Sequence, residues 1–224
     1  MSLISTSSIA QIISNGICFD MKNWNDRPLD VNNLPETIDI LFDILSQNKI
    51  PYLLVGGIAL LSYIEGRNTQ DIDLILSRES LDLIPDFLIL EENNNFIRGT
   101  LSNLQIALFL TENKLFDWVR NHCATERSFG QHQVRCATVE GLILLKLFAL
   151  PSLYRQGNFN KVSIYEGDLT QLLLKEDVDS SRICDILAKH LLSTDFEEVQ
   201  NILMEIQDRI KRFQAQKNKF SPNS

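Results

Sequence analysis

The sequence predicts an α+β fold in which a small mixed sheet with flanking helices is followed by a helical C-terminal domain. Three observations predict it. Short apolar runs bounded by turn residues recur before residue 138, only helical periodicity follows, and no internal repeat marks a solenoid or a propeller. The expected division is therefore 1–137 for the α+β domain with its N-terminal helices, and 138–224 for the helical domain. A chain of 224 residues is long enough to bury a core in each.

The first 33 residues are polar and weakly patterned, with a short helix expected around Ser8 to Asn15. Pro35 opens an amphipathic helix that carries Ile38, Leu41, Phe42 and Leu45 on one stripe. Ile50 to Val55 reads as a buried strand that stops at the Gly56-Gly57 turn. A brief helix is expected over Ile58 to Glu65, with Gly66 as its stop. Asp71 to Leu76 reads as a second strand, Ser80 to Phe87 as helical, and Glu91 to Asn95 as a loop. Leu104 to Leu110 is the third strand, with a helix over Glu112 to Asn121 and a short strand over Gln131 to Ala137. Four helices follow, over Leu142 to Leu150, Asp168 to Leu174, Ser180 to Leu192 and Phe196 to Phe213, and then a frayed tail.

Composition narrows the function classes. No stretch approaches the roughly 20 apolar residues needed to span a bilayer, so no membrane partner is expected. Residues 1–15 lack the basic start and cleavage region of a secretory signal. Cys18, Cys123, Cys136 and Cys184 are scattered without a CxxC pair, which predicts reduced thiols and a soluble, cytoplasmic protein. A net charge of −8 argues against general affinity for nucleic acid. Between Trp118 and Tyr165, however, Arg120, Arg127, Arg135, Lys146, Arg155 and Lys161 face only Glu126 and Glu140. That local excess of positive charge reads either as a solvated face or as an anion site for a polyphosphate or an RNA end.

The chemistry-bearing stretch runs from Gly56-Gly57 through Arg67-Asn68-Thr69 to Asp71-Ile72-Asp73. Strand alternation turns Asp71 and Asp73 to one face, about 6–7 Å apart, and sends Ile72 and Leu74 to the other. Two carboxylates on one face repel each other unless a cation stands before them. Hard oxygen ligands suit Mg²⁺, which binds through one or two carboxylates plus substrate phosphates. The paired glycines let backbone approach a ligand closely, and a helix after them would present N–H groups to an anion.

These residues carry a resemblance. Leu54-Val55-Gly56-Gly57-Ile58-Ala59-Leu60, followed by Arg67-Asn68-Thr69-Gln70-Asp71-Ile72-Asp73-Leu74, resembles the nucleotidyltransferase superfamily of the DNA polymerase β type. Within it, the AbiEii-type toxin nucleotidyltransferases are most similar. The likeness continues in the helix Val139 to Ala149, which contains Glu140 and Lys146, and again at Asp168 to Leu173. The resemblance implies transfer of a nucleoside monophosphate from an NTP to an acceptor, a tRNA 3′ end before a protein side chain or a small molecule. It further implies Mg²⁺ held by Asp71 and Asp73, nucleotide binding by Gly56, Gly57, Arg67 and Thr69, and catalytic roles for Lys146 and Asp168. A toxin–antitoxin setting, with an antitoxin protein as partner, belongs to the same implication.

Two departures from the family pattern bear on activity. Ala107 stands where a third carboxylate is expected on the strand Leu104 to Leu110, and Tyr165 replaces the first acid of the closing motif. Asp168, Glu166 and Glu140 are the acids left to substitute for the missing base. The alternative expectation is a degenerate nucleotidyltransferase fold that binds nucleotide or a partner without catalysis. An aminoglycoside-type nucleotidyltransferase is a third reading, against which the basic segment from 118 to 165 argues.

Overall fold

A computed structural model of the chain describes residues 6–18, 34–65, 69–102 and 104–220. They form two compact units, Met1–Thr138 and Val139–Ser224. The first is built on a seven-stranded mixed sheet in the order β3-β4-β5-β2-β1-β7-β6. Its strands are β1 (Leu53–Val55), β2 (Asp71–Leu76), β3 (Phe87–Glu92), β4 (Phe96–Leu101), β5 (Leu104–Leu110), β6 (Ala124–Phe129) and β7 (His132–Ala137). β2 runs antiparallel to β1 and parallel to β5, and β1 runs parallel to β7. Helices α1 (Thr6–Cys18), α2 (Leu34–Gln47), α3 (Gly56–Leu60) and α4 (Lys114–His122) complete the unit.

Burial follows the alternation of the central strands. Ile72 and Leu74 of β2, Ile106 and Leu108 of β5, and Ile97 and Leu101 of β4 are buried on one face. The apolar stripe of α2 (Ile38, Leu41, Phe42 and Leu45) is buried too, and the helix packs against β5 and β7. The β6–β7 hairpin closes with Gly130 at φ +59, and its end is tied to α2. There the Phe42 and Phe129 rings lie 6.3 Å apart, and His132 Nε2 is 2.9 Å from Asp39 Oδ1.

The second unit is helical, with α5 (Val139–Arg155), α6 (Phe159–Lys175), α7 (Ser180–Leu187) and α8 (Ser193–Phe220). Asp179 caps α7 by accepting from the N–H groups of Ser181 and Arg182, which satisfies donors that the helix itself leaves open. Arg155 holds Asp195 at 2.6 and 3.2 Å, fixing the end of α5 to the start of α8. Among the described residues no helix is long and apolar enough to cross a membrane.

Several elements differ from expectation. Strands β3, β4 and β6 are not expected from the sequence, and the helical stretch expected over Ser80 to Phe87 is a 3₁₀ helix over Arg78–Leu83, with Phe87 opening β3. Glu91 and Glu92 end β3 instead of entering a loop. The turn itself holds Asn93, whose side chain accepts from the N–H groups of Asn95 and Phe96 at 2.9 Å. Helix α8 runs through Phe220, past Phe213. The expected stop at Gly66, and most of the polar stretch before Pro35, lie outside the described residues.

Burial couples the stability of the first unit to alkaline pH through two groups. It pushes the Tyr52 phenol from 10.0 to about 12 and the Cys136 thiol from 9.0 to about 12. Both groups lose their protons more readily in the unfolded chain. Their contribution to stability is therefore complete below about pH 9 and is lost as pH rises through about 12. Urea midpoints should fall across that window, with a shallower fall for Tyr52→Phe between pH 10 and 12. A flat midpoint up to pH 12 would contradict these assignments.

Candidate active site

Residue pairs that face each other across strands share a face of the sheet, and the register assigns the site residues accordingly. Asp71 lies beside Gln105 and then Thr100; Asp73 lies beside Ala107 and then Arg98. Ile75, Phe109 and Phe96 form the next row, at the far end of the same face. There Phe116 of α4 stands edge-on to Phe109 and Phe96, with ring centroids 5.3 and 5.4 Å apart. The end bearing the aspartates carries polar side chains, half-buried at Asp71, Asp73, Gln105 and Thr100 and exposed at Arg98. Asp71 and Asp73 thus share the polar end of one sheet face.

The glycine turn meets Asp73 directly. Val55 pairs with Asp73 across β1 and β2, so Gly56 follows at the same level of the sheet. Gly56 adopts φ +64, a left-handed conformation that side chains disfavour. A Cβ there would lie 1.7 Å from Asp73 Oδ2, where no atom fits. The Gly57 N–H donates to that same oxygen at 3.3 Å. A Cβ on Gly57 would come within 2.7 Å of Thr69 Cβ, and the Thr69 hydroxyl in turn donates to Asp71 Oδ1 at 2.9 Å. Each carboxylate is therefore oriented by one neighbour from the turn or its approach.

Two details correct the sequence-based picture. Helix α3 begins at Gly56, not Ile58, and is only five residues long. The N–H of Gly57, now the second residue of that helix, is given to Asp73. Arg67 lies outside the described residues.

The donor set suits a small divalent cation that brings its own phosphates. Two carboxylates on one strand face supply hard oxygens, the number Mg²⁺ commonly takes from protein. Among the described residues no group of three or more His, Cys, Asp or Glu side chains could hold a metal alone. Register accounts for this in part. Ala107 is the direct neighbour of Asp73 on β5, and its side chain brings no oxygen.

Lys146 and Asp168 meet each other within the helical unit. Lys146 Nζ lies 2.8 Å from Asp168 Oδ2, and both residues are buried, at 6% and 4% exposure. The ammonium also sits 4.3 Å from the centre of the Tyr165 ring, so the tyrosine that replaces the motif's first acid touches the lysine by its face. Sequence reasoning gave Tyr165 no such role, because the ring reaches Lys146 across two helices. The other acids are engaged as well. Glu166 accepts from Tyr154, a bond that raises that phenol to about 12, and Glu140 holds Arg182 at 2.7 Å.

The basic segment divides between the units, three residues in each, and its members have partners inside the protein. Arg120 bonds Asp117, Arg127 lies over the Tyr63 ring, Arg135 donates to the Arg120 carbonyl, and Arg155 holds Asp195. Lys161 sits 5.7 Å from the Tyr165 ring centre. This favours the reading as separately satisfied cations over a single anion site.

A nucleotidyltransferase-like protein from Paracoccidioides brasiliensis, described as antigenic, has a similar solved structure. It aligns with a TM-score of 0.55 at 14% identity, covering 94% of each chain. The fold is nucleotidyltransferase-like. Two structures of the antibiotic-resistance factor ANT(2″)-Ia, one in complex with adenylyl-2″-tobramycin, align at 12% identity with TM-scores of 0.46 and 0.44. They cover 69% and 81% of this chain and 96% of each of theirs, a superposition too weak to bear on this chain. No protein-family model matches the sequence, and no curated protein matches it. Likeness to a nucleotidyltransferase-like fold thus agrees with the superfamily that the sequence motifs resemble.

The packing of Asp73 on Gly56 makes the nucleotidyltransferase-like turn sensitive to a single methyl group. Gly56→Ala should destabilise the protein by about 1–3 kcal/mol through the forced left-handed backbone alone. The clash with Asp73 adds to it, so Gly56→Ala and Asp73→Ala should couple by about 0.5–3 kcal/mol in a double-mutant cycle read by urea unfolding. Strict additivity would contradict the contact.

Proposed function

We propose that the chain is a Mg²⁺-dependent nucleotidyltransferase that moves a nucleoside monophosphate from an NTP to an acceptor hydroxyl, first of all a tRNA 3′ end. One observation carries the reading: Asp71 and Asp73 share a sheet face, and the glycine turn packs against the second of them. In the reaction the acceptor oxygen bonds to the α-phosphorus and the bond from that phosphorus to the β-phosphate bridge breaks. Pyrophosphate leaves, and the hydroxyl proton passes to solvent or to a base. Bound Mg²⁺ would neutralise charge on the phosphates.

The chain's own residues have defined tasks in this proposal. Asp71 and Asp73 hold the metal, each pre-set by a bond from Thr69 or Gly57. Gly56, Gly57, Arg67 and Thr69 form the nucleotide side. Lys146 and Asp168 act as an ion pair that holds the lysine at a fixed position. A toxin role with an antitoxin partner rests on the AbiEii resemblance of the motifs alone.

A second reading is favoured by Ala107. With an alanine beside Asp73, the strand that could supply a general base lacks one, an effect typically worth 10²–10⁴ in rate. In that reading the fold binds nucleotide without turnover.

Incubation with labelled NTPs, Mg²⁺ and total tRNA separates the two. Label should be transferred by the wild-type protein, and Asp71→Asn and Asp73→Asn should each lower the rate about 10²-fold or more. Mg²⁺-dependent NTP binding by calorimetry without transfer, and no gain from Ala107→Asp, would support binding alone. Transfer that survives loss of both aspartates would overturn the proposed site.

A further inference from the structure

We propose that Arg98 is a specificity-determining residue on the acceptor side of this site, forming an anion subsite that selects acceptors bearing a phosphate next to the reacting hydroxyl. The inference rests on the proposed transfer reaction and deepens it by assigning the residue that reads the acceptor. It starts from the row of residues that runs across the sheet through Asp73, Ala107, Arg98 and Glu91. Cross-strand neighbours share a face, so all four project to the side that bears the metal-binding carboxylates. Two strand spacings, about 10 Å, separate the backbones of Asp73 and Arg98. Only the methyl group of Ala107 stands between them. An arginine can lie over so small a residue and bring its guanidinium toward Asp73.

The arginine is also available. Its present partner is Glu91, 3.2 Å away, and the two side chains are 52% and 73% exposed. Ion pairs so open to water contribute little and exchange readily for a better ligand. A phosphate is such a ligand, because it accepts two parallel bonds from the planar guanidinium. Glu91 reaches Arg98 through an irregularity in β3: the register shifts between Ile89 and Glu91, so the glutamate, not Leu90, pairs with Arg98. Thr100 and Gln105, in the adjoining row beside Asp71, add neutral donors within one pleat.

Charge then decides which acceptor fits. A third carboxylate at position 107 would make this end of the face strongly negative and draw cationic acceptors. An alanine there with an arginine beside it leaves that end less negative and places its one guanidinium where an acceptor phosphate can reach it. The bound group is a phosphate monoester or diester, supplied either by the 3′-terminal linkage of an RNA or by a free mononucleotide.

The test uses the full chain, a 5′-fluorescein-labelled RNA minihelix with a free 3′ end, and anisotropy in Mg²⁺ without NTP. Arg98→Glu should weaken minihelix binding on the order of tenfold, Arg98→Ala by less, and Glu91→Gln should tighten it by releasing the arginine. Calorimetry with a non-hydrolysable ATP analogue should return the same affinity for all three variants. Unlabelled AMP that displaces the minihelix would assign the phosphate to a mononucleotide source, and failure of AMP to compete would assign it to the RNA linkage. No binding of either probe, or binding indifferent to Arg98→Glu, would overturn the subsite. Loss of analogue binding in the wild-type protein alone would instead overturn the nucleotidyltransferase reading. Unchanged urea midpoints of the variants exclude misfolding as the cause.

Discussion

The contact between the Asp73 carboxylate and the Gly56–Gly57 turn is the constraint on which the rest of the site depends. It joins two strands at the one level where their chemistry coincides. A side chain at position 56 would overlap the carboxylate, and the left-handed backbone there already disfavours one. The Gly57 N–H then holds the same oxygen, so the carboxylate is fixed by packing and by a hydrogen bond together. Thr69 does the same for Asp71. Both carboxylates are thus pre-set on one face of the strand, where hard oxygens side by side favour a bound cation, which is the physical reason to read the pair as a metal site.

The sheet divides its labour along the strands. At the C-terminal end of β2 and β5, the rings of Phe109, Phe96 and Phe116 pack edge to face. At the N-terminal end the same face carries carboxylates, amide, hydroxyl and guanidinium groups, while the reverse of β2 and β5 is buried and apolar. A ligand can therefore be held against rigid backbone without opening the core.

Much of this was legible in the sequence, for reasons that differ by residue. Alternation in Asp71 to Leu76 gives both the strand and the shared face of its acids, since period two needs no tertiary knowledge. The stripe on α2 is equally local. β4 was missed because Gly99 interrupts its apolar positions, and that glycine is required by the Leu88 carbonyl 2.4 Å from where its Cβ would stand. β6 is polar along most of its length and is a strand through its pairing with β7. With β4 unseen, Arg98 had no neighbour to be read against. The pairing of Lys146 with Asp168 was hidden for another reason: the residues are 22 apart on two helices, and no local spacing rule connects them. The basic segment misled because composition records charges without their partners.

The most direct measurement is anomalous scattering from crystals grown with Mn²⁺ in place of Mg²⁺ and a non-hydrolysable NTP. The account expects the manganese peak between the carboxylates of Asp71 and Asp73, with triphosphate oxygens completing its shell beside the glycine turn. A cation and triphosphate ordered elsewhere on the chain, with those two carboxylates left without metal, would contradict it.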